Sequence, residues 1–321
     1  MFIFSLVIYI PLQIAFIPLA LVGGVLVAYR QMVISKKLGV SQTAIEVLNG
    51  RWTMHVFGIR DDAPSAKLAA VLPNTSVIGL WLVLLPLWLT YKITGKHFLY
   101  PRVPEVGAES LVELVVARTL YFDRIIERVI GEVEQFVVMG AGYDVRAYGR
   151  FSREGVNFFE LDQPSVQRHK RDALTEAGIP CEHVRFVTVD FSRENAFEKL
   201  TAAGYDPSRK TLFLWEGVTL YLSESEVRRT MHDVRNHAPA GSVLLADIYA
   251  DRVVNIGKSA AGRKTLEYTG EGFGFSLPLA TDYEDTLAAF VESESMSVRE
   301  TYFMGRASDK GPFMVVVEMR C

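Results

Sequence analysis

Gln135 to Pro164 constrains the fold of this chain more than any other stretch. QFVVM is a short apolar run of the kind buried on both faces of a parallel sheet. Gly140 and Gly142 follow, at a point where the chain must turn sharply and where missing side chains let a ligand approach the backbone. Asp144 is placed to cap a succeeding helix, and NFFELDQP then reads as a second strand ending in Glu160 and Asp162. A glycine turn alone arises in many sheets for packing reasons. Strand, turn, helix and acidic strand end together describe a cradle for an adenosine-bearing cofactor.

The pattern departs from the dinucleotide fingerprint, which wants a third glycine three residues after the second. Position 145 is Val, so a pyrophosphate is not provided for. Two further strand-like runs, 185–189 and 211–215, are followed by Asp190 and Glu216. Ligands of doubly wound sheets sit at the carboxyl ends of strands. Three successive acidic ends suit a ribose, an adenine amino group and a cationic centre, a combination found in S-adenosylmethionine. Two other readings stay open: a protein that binds this cofactor without catalysis, and a nucleotide-dependent oxidoreductase.

GAGYDVRAY, ELDQPSVQRHK, VDF and WEGVTLYL, in that order and spacing, resemble the leucine carboxyl methyltransferase family of S-adenosylmethionine-dependent O-methyltransferases. The resemblance covers roughly residues 109–321. It implies that the turn Gly140, Ala141 and Gly142 passes under the cofactor and that Asp162 takes the ribose, with Glu160 as a possible sharer. It further implies that Asp190 and Phe191 frame the adenine and that Glu216 lies beside the methionyl part.

Arg118 can be read without the family. Between Leu111 and Val129, positions 111, 114, 115, 118, 122, 125, 126 and 129 form one helical stripe, apolar except at 118. An arginine on a buried face is costly unless paired. It is either salt-bridged or snorkelling at the rim, or it is a fork for a carboxylate. In the resembled family an arginine in this setting binds the methionyl carboxylate.

The remaining pattern predicts helices over 165–177, 197–203, 223–237 and 282–293. The third opens on a capping box of Ser223 and Glu226. A fifth strand is expected over 242–246, and runs 297–302 and 313–319 read as a closing hairpin. The expected fold is α/β, a doubly wound, Rossmann-like, seven-stranded and mainly parallel sheet with an antiparallel last strand. Residues 101–321 would form this domain.

Residues 1–100 read differently, as an α-helical membrane region. No charge occurs from Phe2 to Tyr29 or from Leu68 to Tyr91, and about 20 apolar residues cross a bilayer. Candidate segments are 2–29 and 74–92, the second capped by Asn74 and Thr75 and ending in Trp88, Tyr91, Lys92 and Lys96, as an interface would favour. A signal peptide is disfavoured, since no basic residue precedes the long apolar run. Pro11 and Pro18 would kink a helix or turn it back. Two full spans would leave Arg30 to Lys67, with Arg51 and Arg60, opposite the cytosolic domain, against the positive-inside tendency. A re-entrant or interfacial first segment removes the conflict. Within the loop, Thr43 and Glu46 read as a capping box for a helix towards Phe57. Trp52 and His55 are either core or the lining of a substrate entrance.

The net charge of −3 and the lack of a long basic run argue against nucleic acid as a partner. Cys181 and Cys321 lie far from any histidine pattern, so neither a metal nor a disulfide is expected. A carboxylate acceptor needs no base, consistent with the lack of a His–Asp or Cys–His pair. Tyr221 and Tyr143 are the side chains placed to face the transferring methyl. A membrane-side entrance suggests an amphiphilic acceptor with an acidic oxygen, a bilayer as partner and a catalytic domain facing the cytoplasm. The segment 270–278 is expected over the pocket.

Overall fold

A computed structural model describes residues 2–190, 194–257 and 272–321. Its centre is a seven-stranded sheet ordered β3-β2-β1-β4-β5-β7-β6. The strands are β1 Gln135–Met139, β2 Asn157–Asp162, β3 Val184–Thr188, β4 Thr211–Trp215, β5 Val243–Tyr249, β6 Ser297–Met304 and β7 Met314–Arg320. The first five are parallel, and β7 runs antiparallel to both β5 and β6. The expected doubly wound sheet with an antiparallel last strand is therefore present. β1 and β4 are buried at every residue, which accounts for their unbroken apolar composition.

Helices cover both faces: α6 Leu114–Val129, α7 Pro164–Glu176, α8 Ala196–Ala202, α9 Glu224–His237, α10 Asp251–Gly257 and α11 Tyr283–Ser293. Ser223 caps α9 by accepting from the Glu226 N–H, and the Glu226 carboxylate accepts from the Ser223 N–H at 2.8 Å, completing the predicted capping box. One expected helix is missing. After the glycine turn the chain makes only a 3₁₀ turn, Arg146–Tyr148, because Asp144 and Arg146 are drawn inward into ion pairs and Gly149 breaks the run. Asp144 still accepts from the Arg146 N–H at 2.8 Å, but it caps a turn and not a helix.

The N-terminal third consists of α1 Phe2–Ala28, α2 Ser35–Leu38, α3 Gln42–Val56, α4 Ala63–Val71 and α5 Val77–Thr94. α1 runs unbroken through Pro11 and Pro18 and continues through a wide π turn, Tyr29–Ile34, into α2. The prolines therefore do not turn it back. α1 and α5 are long and apolar enough to cross a membrane by length and composition. The caps differ from expectation by one or two residues. Ser41 caps α3 in place of Thr43, and Ser76 caps α5 in place of Asn74 and Thr75. Asn74 and Thr75 are buried, where Asn74 donates to Ser35 at 3.0 Å and Thr75 to the Leu72 carbonyl at 2.9 Å.

Arg30 to Lys67 is mostly helical, and only part of its basic charge is solvated. Its helices α3 and α4 pack with α5 and α7 into one apolar cluster containing Ile45, Leu48, Trp52, Leu68, Leu84 and Leu174. Arg51 and Arg60 are buried. Trp52 packs edge-on against Trp81 at 5.5 Å, so it is core. His55 accepts from the Asp62 N–H at 3.1 Å; neither residue lines the cavity described next.

Candidate functional site

A cavity of about 560 Å³ opens at the carboxyl ends of β1, β2 and β4. It lies where the strand order reverses between β1 and β4, the position at which open α/β sheets bind ligands. Gly140, Ala141 and Gly142 form part of its floor. Gly140 has φ of +70°, and a Cβ there would sit 2.5 Å from Val218 Cγ2, so both backbone and space demand glycine. Gly142 has φ of +46°.

Asp162, the last residue of β2, lines the cavity. Its Oδ2 accepts from the Gly142 N–H at 2.6 Å and its Oδ1 from the Gln163 N–H at 2.7 Å. Burial raises its carboxyl above the usual range despite these two donors. Each oxygen keeps acceptor capacity for a further hydroxyl. Asp190 also lines the cavity, as do Arg118, Glu216, Tyr143 and Tyr221. Phe191 lies outside the described residues.

Glu160 does not belong to this set. It is 1% exposed, pairs with Lys170 at 2.7 Å, and lines no part of the cavity. Depth along the strand explains this: Glu160 shares the face of Asp162 but lies two residues before the strand end, so its carboxylate is held deeper, beneath the turn, where Lys170 also donates to the Asp144 carbonyl at 2.6 Å.

The cavity wall holds a buried ionic network that the sequence only partly disclosed. Three arginines converge on Glu216. Arg51 from α3 reaches its two oxygens at 2.9 and 3.1 Å, Arg146 reaches Oε2 at 2.5 Å, and Arg118 Nε lies 3.3 Å from Oε1. Arg51 and Arg146 also share Asp144, at 2.9 and 2.5 Å. Arg118 pairs with Asp247 at 3.0 Å and donates to the Tyr249 hydroxyl at 2.9 Å. Arg146 continues to Asp123 at 2.7 Å, which Arg60 holds from the other side at 2.5 Å. The salt-bridge reading of Arg118 is met by these pairs, and the residue also lines the cavity, where the carboxylate reading would need it.

Arg51 was legible only as part of a basic loop. The missed signal is its place three residues after Leu48, beside the stripe of Ile45, Leu48 and Trp52, the same anomaly that singled out Arg118. Arg51 Nε is buried with no hydrogen-bond partner among the described residues.

Burial raises the carboxyl of Glu216, but Arg146, Arg51 and Arg118 outweigh it and bring it down to about 2. Asp144 is likewise held well below the carboxylate range: burial raises it, and Arg146 and Arg51 more than compensate. A carboxyl depressed in the fold contributes stability above its unfolded value and loses that contribution as pH falls through the folded value. Asp247 has the opposite sign, raised by burial in spite of Arg118. Glu216→Gln isolates the first effect. The gap in denaturation midpoint between wild type and this variant should be widest above pH 5 and shrink between about pH 4.5 and 2. Denaturant titrations at several pH values check this, and a gap that does not change with pH contradicts it.

Tyr221 donates to Thr43 Oγ1 at 3.0 Å and faces Phe273 at 6.2 Å between ring centres. Phe273 lines the cavity and the Gly274 N–H donates to the Leu220 carbonyl at 2.8 Å, whereas Phe275 and Leu277 are in the core, so of the described part of 270–278 only Phe273 reaches the pocket. The Tyr143 hydroxyl is engaged with His169 Nδ1 at 2.7 Å, and burial raises it above its usual range.

The model of the leucine carboxyl methyltransferase family matches residues 92–235, from the end of α5 to α9. Among curated relatives, one from Mycobacteroides abscessus named "Putative S-adenosyl-L-methionine-dependent methyltransferase" is 35% identical over 145 residues, 44% of this chain and 48% of the relative. A second protein of the same name and organism is 30% identical over 174 residues, 54% of this chain and 56% of its own. One from Mycobacterium sp. (strain JLS) is 41% identical over 116 residues, 36% of this chain and 38% of its own. The chain thus spans about half the length of the curated relatives it matches. A solved O-methyltransferase family protein from Burkholderia thailandensis is similar at 15% identity and a TM-score of 0.45, over 65% of this chain and 57% of its own.

Proposed function

We propose that this protein is an S-adenosylmethionine-dependent methyltransferase, acting on an acidic oxygen of a small amphiphilic acceptor at a membrane. The observation that carries the reading is Asp162 at the end of β2, clamped by the Gly142 N–H beside a cavity of about 560 Å³. That arrangement offers a ribose two acceptor oxygens at the switch point of the sheet. The family match over 92–235 and the names of the curated relatives support the same cofactor.

The residues present fit that group. Gly140, Ala141 and Gly142 would pass beneath it, Asp162 would hold the ribose, and Asp190 would meet the adenine. Arg118, with Arg51 beside it on the cavity wall, would receive the methionyl carboxylate. When bound, S-adenosylmethionine supplies an activated methyl on a sulfonium. The protein's part is to orient the acceptor and exclude water, which can supply most of the acceleration. An ionised carboxylate acceptor requires no base. Tyr221, on the cavity wall beside Phe273, would orient it, and Tyr143, tied to His169, would shape the floor.

The missing helix after the glycine turn weighs against a dinucleotide-dependent oxidoreductase. A pyrophosphate is normally met by a helix N-terminus at that point. Here the chain makes one 3₁₀ turn, and Val145 is buried in the apolar cluster beneath α3.

Two features support an amphiphilic acceptor and a membrane location. Val40, Val47, Leu114, Val115 and Leu222 make much of the cavity wall apolar. Ile3, Val7, Ile14, Leu21 and Val25 of α1 are each more than 60% exposed, an apolar surface larger than water-soluble proteins carry without a purpose. The domain of residues 101–321 would then face the cytoplasm, where the methyl donor is made. The test is to incubate purified full-length protein with S-adenosylmethionine bearing a labelled methyl group and a membrane lipid extract, followed by mass spectrometry. A base-labile methyl ester in the lipid fraction is the expected product. Cofactor binding with no S-adenosylhomocysteine formed from any extract would instead favour a binding protein.

A further inference from the structure

We infer that the protein docks on one leaflet of a bilayer through an in-plane layer of α1 and α5, with neither helix crossing the membrane; this rests on the membrane location proposed above. The argument is one of connectivity. α5 is held by the folded body near both ends: Trp81 near its start packs on Trp52 at 5.5 Å between ring centres, and Tyr91 near its end packs on Phe57 at 5.9 Å. Beyond its end, His97 Nε2 lies 2.8 Å from the Phe57 carbonyl. Trp52 lies in the last turns of α3 and Phe57 caps its end, and α3 is bolted to the sheet by Arg51, 2.9 Å from both Asp144 and Glu216.

A two-span hairpin would place α3 and the sheet on opposite sides of the bilayer. The Arg51 pairs place them on the same side. Pushing α5 through the hydrocarbon would break the contacts of α3 and leave the buried charge of Arg51 without its carboxylate partners.

α1 follows α5 closely. Gly23 and Gly79 meet, where a Cβ on Gly23 would come 2.6 Å from the Gly79 carbonyl oxygen. At the other end Tyr9 packs on Phe98 at 5.7 Å. α1 therefore runs antiparallel along the outer side of α5, with its other sides exposed. At roughly 40 Å it forms an apolar ridge without a charge from Phe2 to Tyr29. Exposed Lys36, Lys37, Lys92 and Lys96 border this layer, where anionic headgroups would sit. The same helical run ends at Gly39, and the next residues, Val40 and Ser41, line the cavity. The ridge thus hands the chain directly to the catalytic pocket, which would let an acceptor enter from the occupied leaflet.

The test uses the full chain in bacterial membranes, with Cys181 and Cys321 replaced by Ser and one cysteine introduced at a time. Asp61→Cys reports the α3–α4 connection and Glu132→Cys the domain that follows; both native side chains are exposed. A membrane-impermeant maleimide should label both in sealed inverted vesicles and label each at least tenfold less in intact cells. An N-terminal tag should be cleaved by protease added to the inverted vesicles. Labelling of Asp61→Cys from the opposite side to Glu132→Cys would overturn the inference in favour of a hairpin. A protected tag with both cysteines on one side would overturn it in favour of a crossing α1. In both of those cases the membrane location survives. A protein that stays soluble as a dimer and fails to float with vesicles containing anionic lipid would overturn the location as well, assigning the ridge to a second copy.

Discussion

Arg51→Ala is expected to destabilise the protein by roughly 3–5 kcal/mol, the usual consequence of deleting one partner from a buried, hydrogen-bonded ion pair. The reason is specific to this site. Arg51 is the cation that α3 contributes to Glu216 and Asp144, and it is 2% exposed. Its loss leaves two carboxylates less compensated and detaches the N-terminal wall of the cavity from the sheet. A lower thermal midpoint should accompany loss of cofactor binding. Arg51→Lys keeps the charge but not the fork that spans Glu216 and Asp144, and should recover only part of the stability. Thermal melts and cofactor titrations on both variants check this. A midpoint equal to wild type for Arg51→Ala would mean that the α3 contact with the sheet is unimportant.

Asp162→Ala is expected to act on the ligand more than on the fold. Each hydrogen bond to a charged group is worth about 1.5–3 kcal/mol, so losing two ribose contacts should weaken cofactor affinity by roughly 10²- to 10⁴-fold. Part of this cost is local, because the Gly142 and Gln163 N–H groups lose their acceptor. Asp162→Asn keeps one acceptor oxygen and should fall between the two. Calorimetric titration resolves the three proteins. Unchanged affinity in Asp162→Ala would remove the ribose assignment.

Much of the sheet was legible because its strands are buried on both faces and need no alternation to be recognised. β1 and β4 lie where the apolar runs QFVVM and TLFLW place them. The capping box of α9 was legible for a local reason, since Ser223 and Glu226 satisfy one another within one turn. The helix after the glycine turn was misread because its failure is tertiary: Asp144 and Arg146 are claimed by partners distant in sequence, Arg51 and Glu216. Glu160 was misplaced because an acid near a strand end looks the same whether it faces a ligand or a buried lysine. The N-terminal third was the hardest to read. Its hydropathy describes membrane spans, yet the arginine that fixes α3 to the sheet is invisible to a hydropathy profile.

The most direct test of the central claim is which adenosine-bearing ligand the cavity holds. Full-length protein in detergent should bind S-adenosylmethionine and S-adenosylhomocysteine in calorimetry, show no heat with NAD or NADP, and lose the first two signals in Asp162→Ala. Binding of a nicotinamide dinucleotide without S-adenosylmethionine would contradict the account.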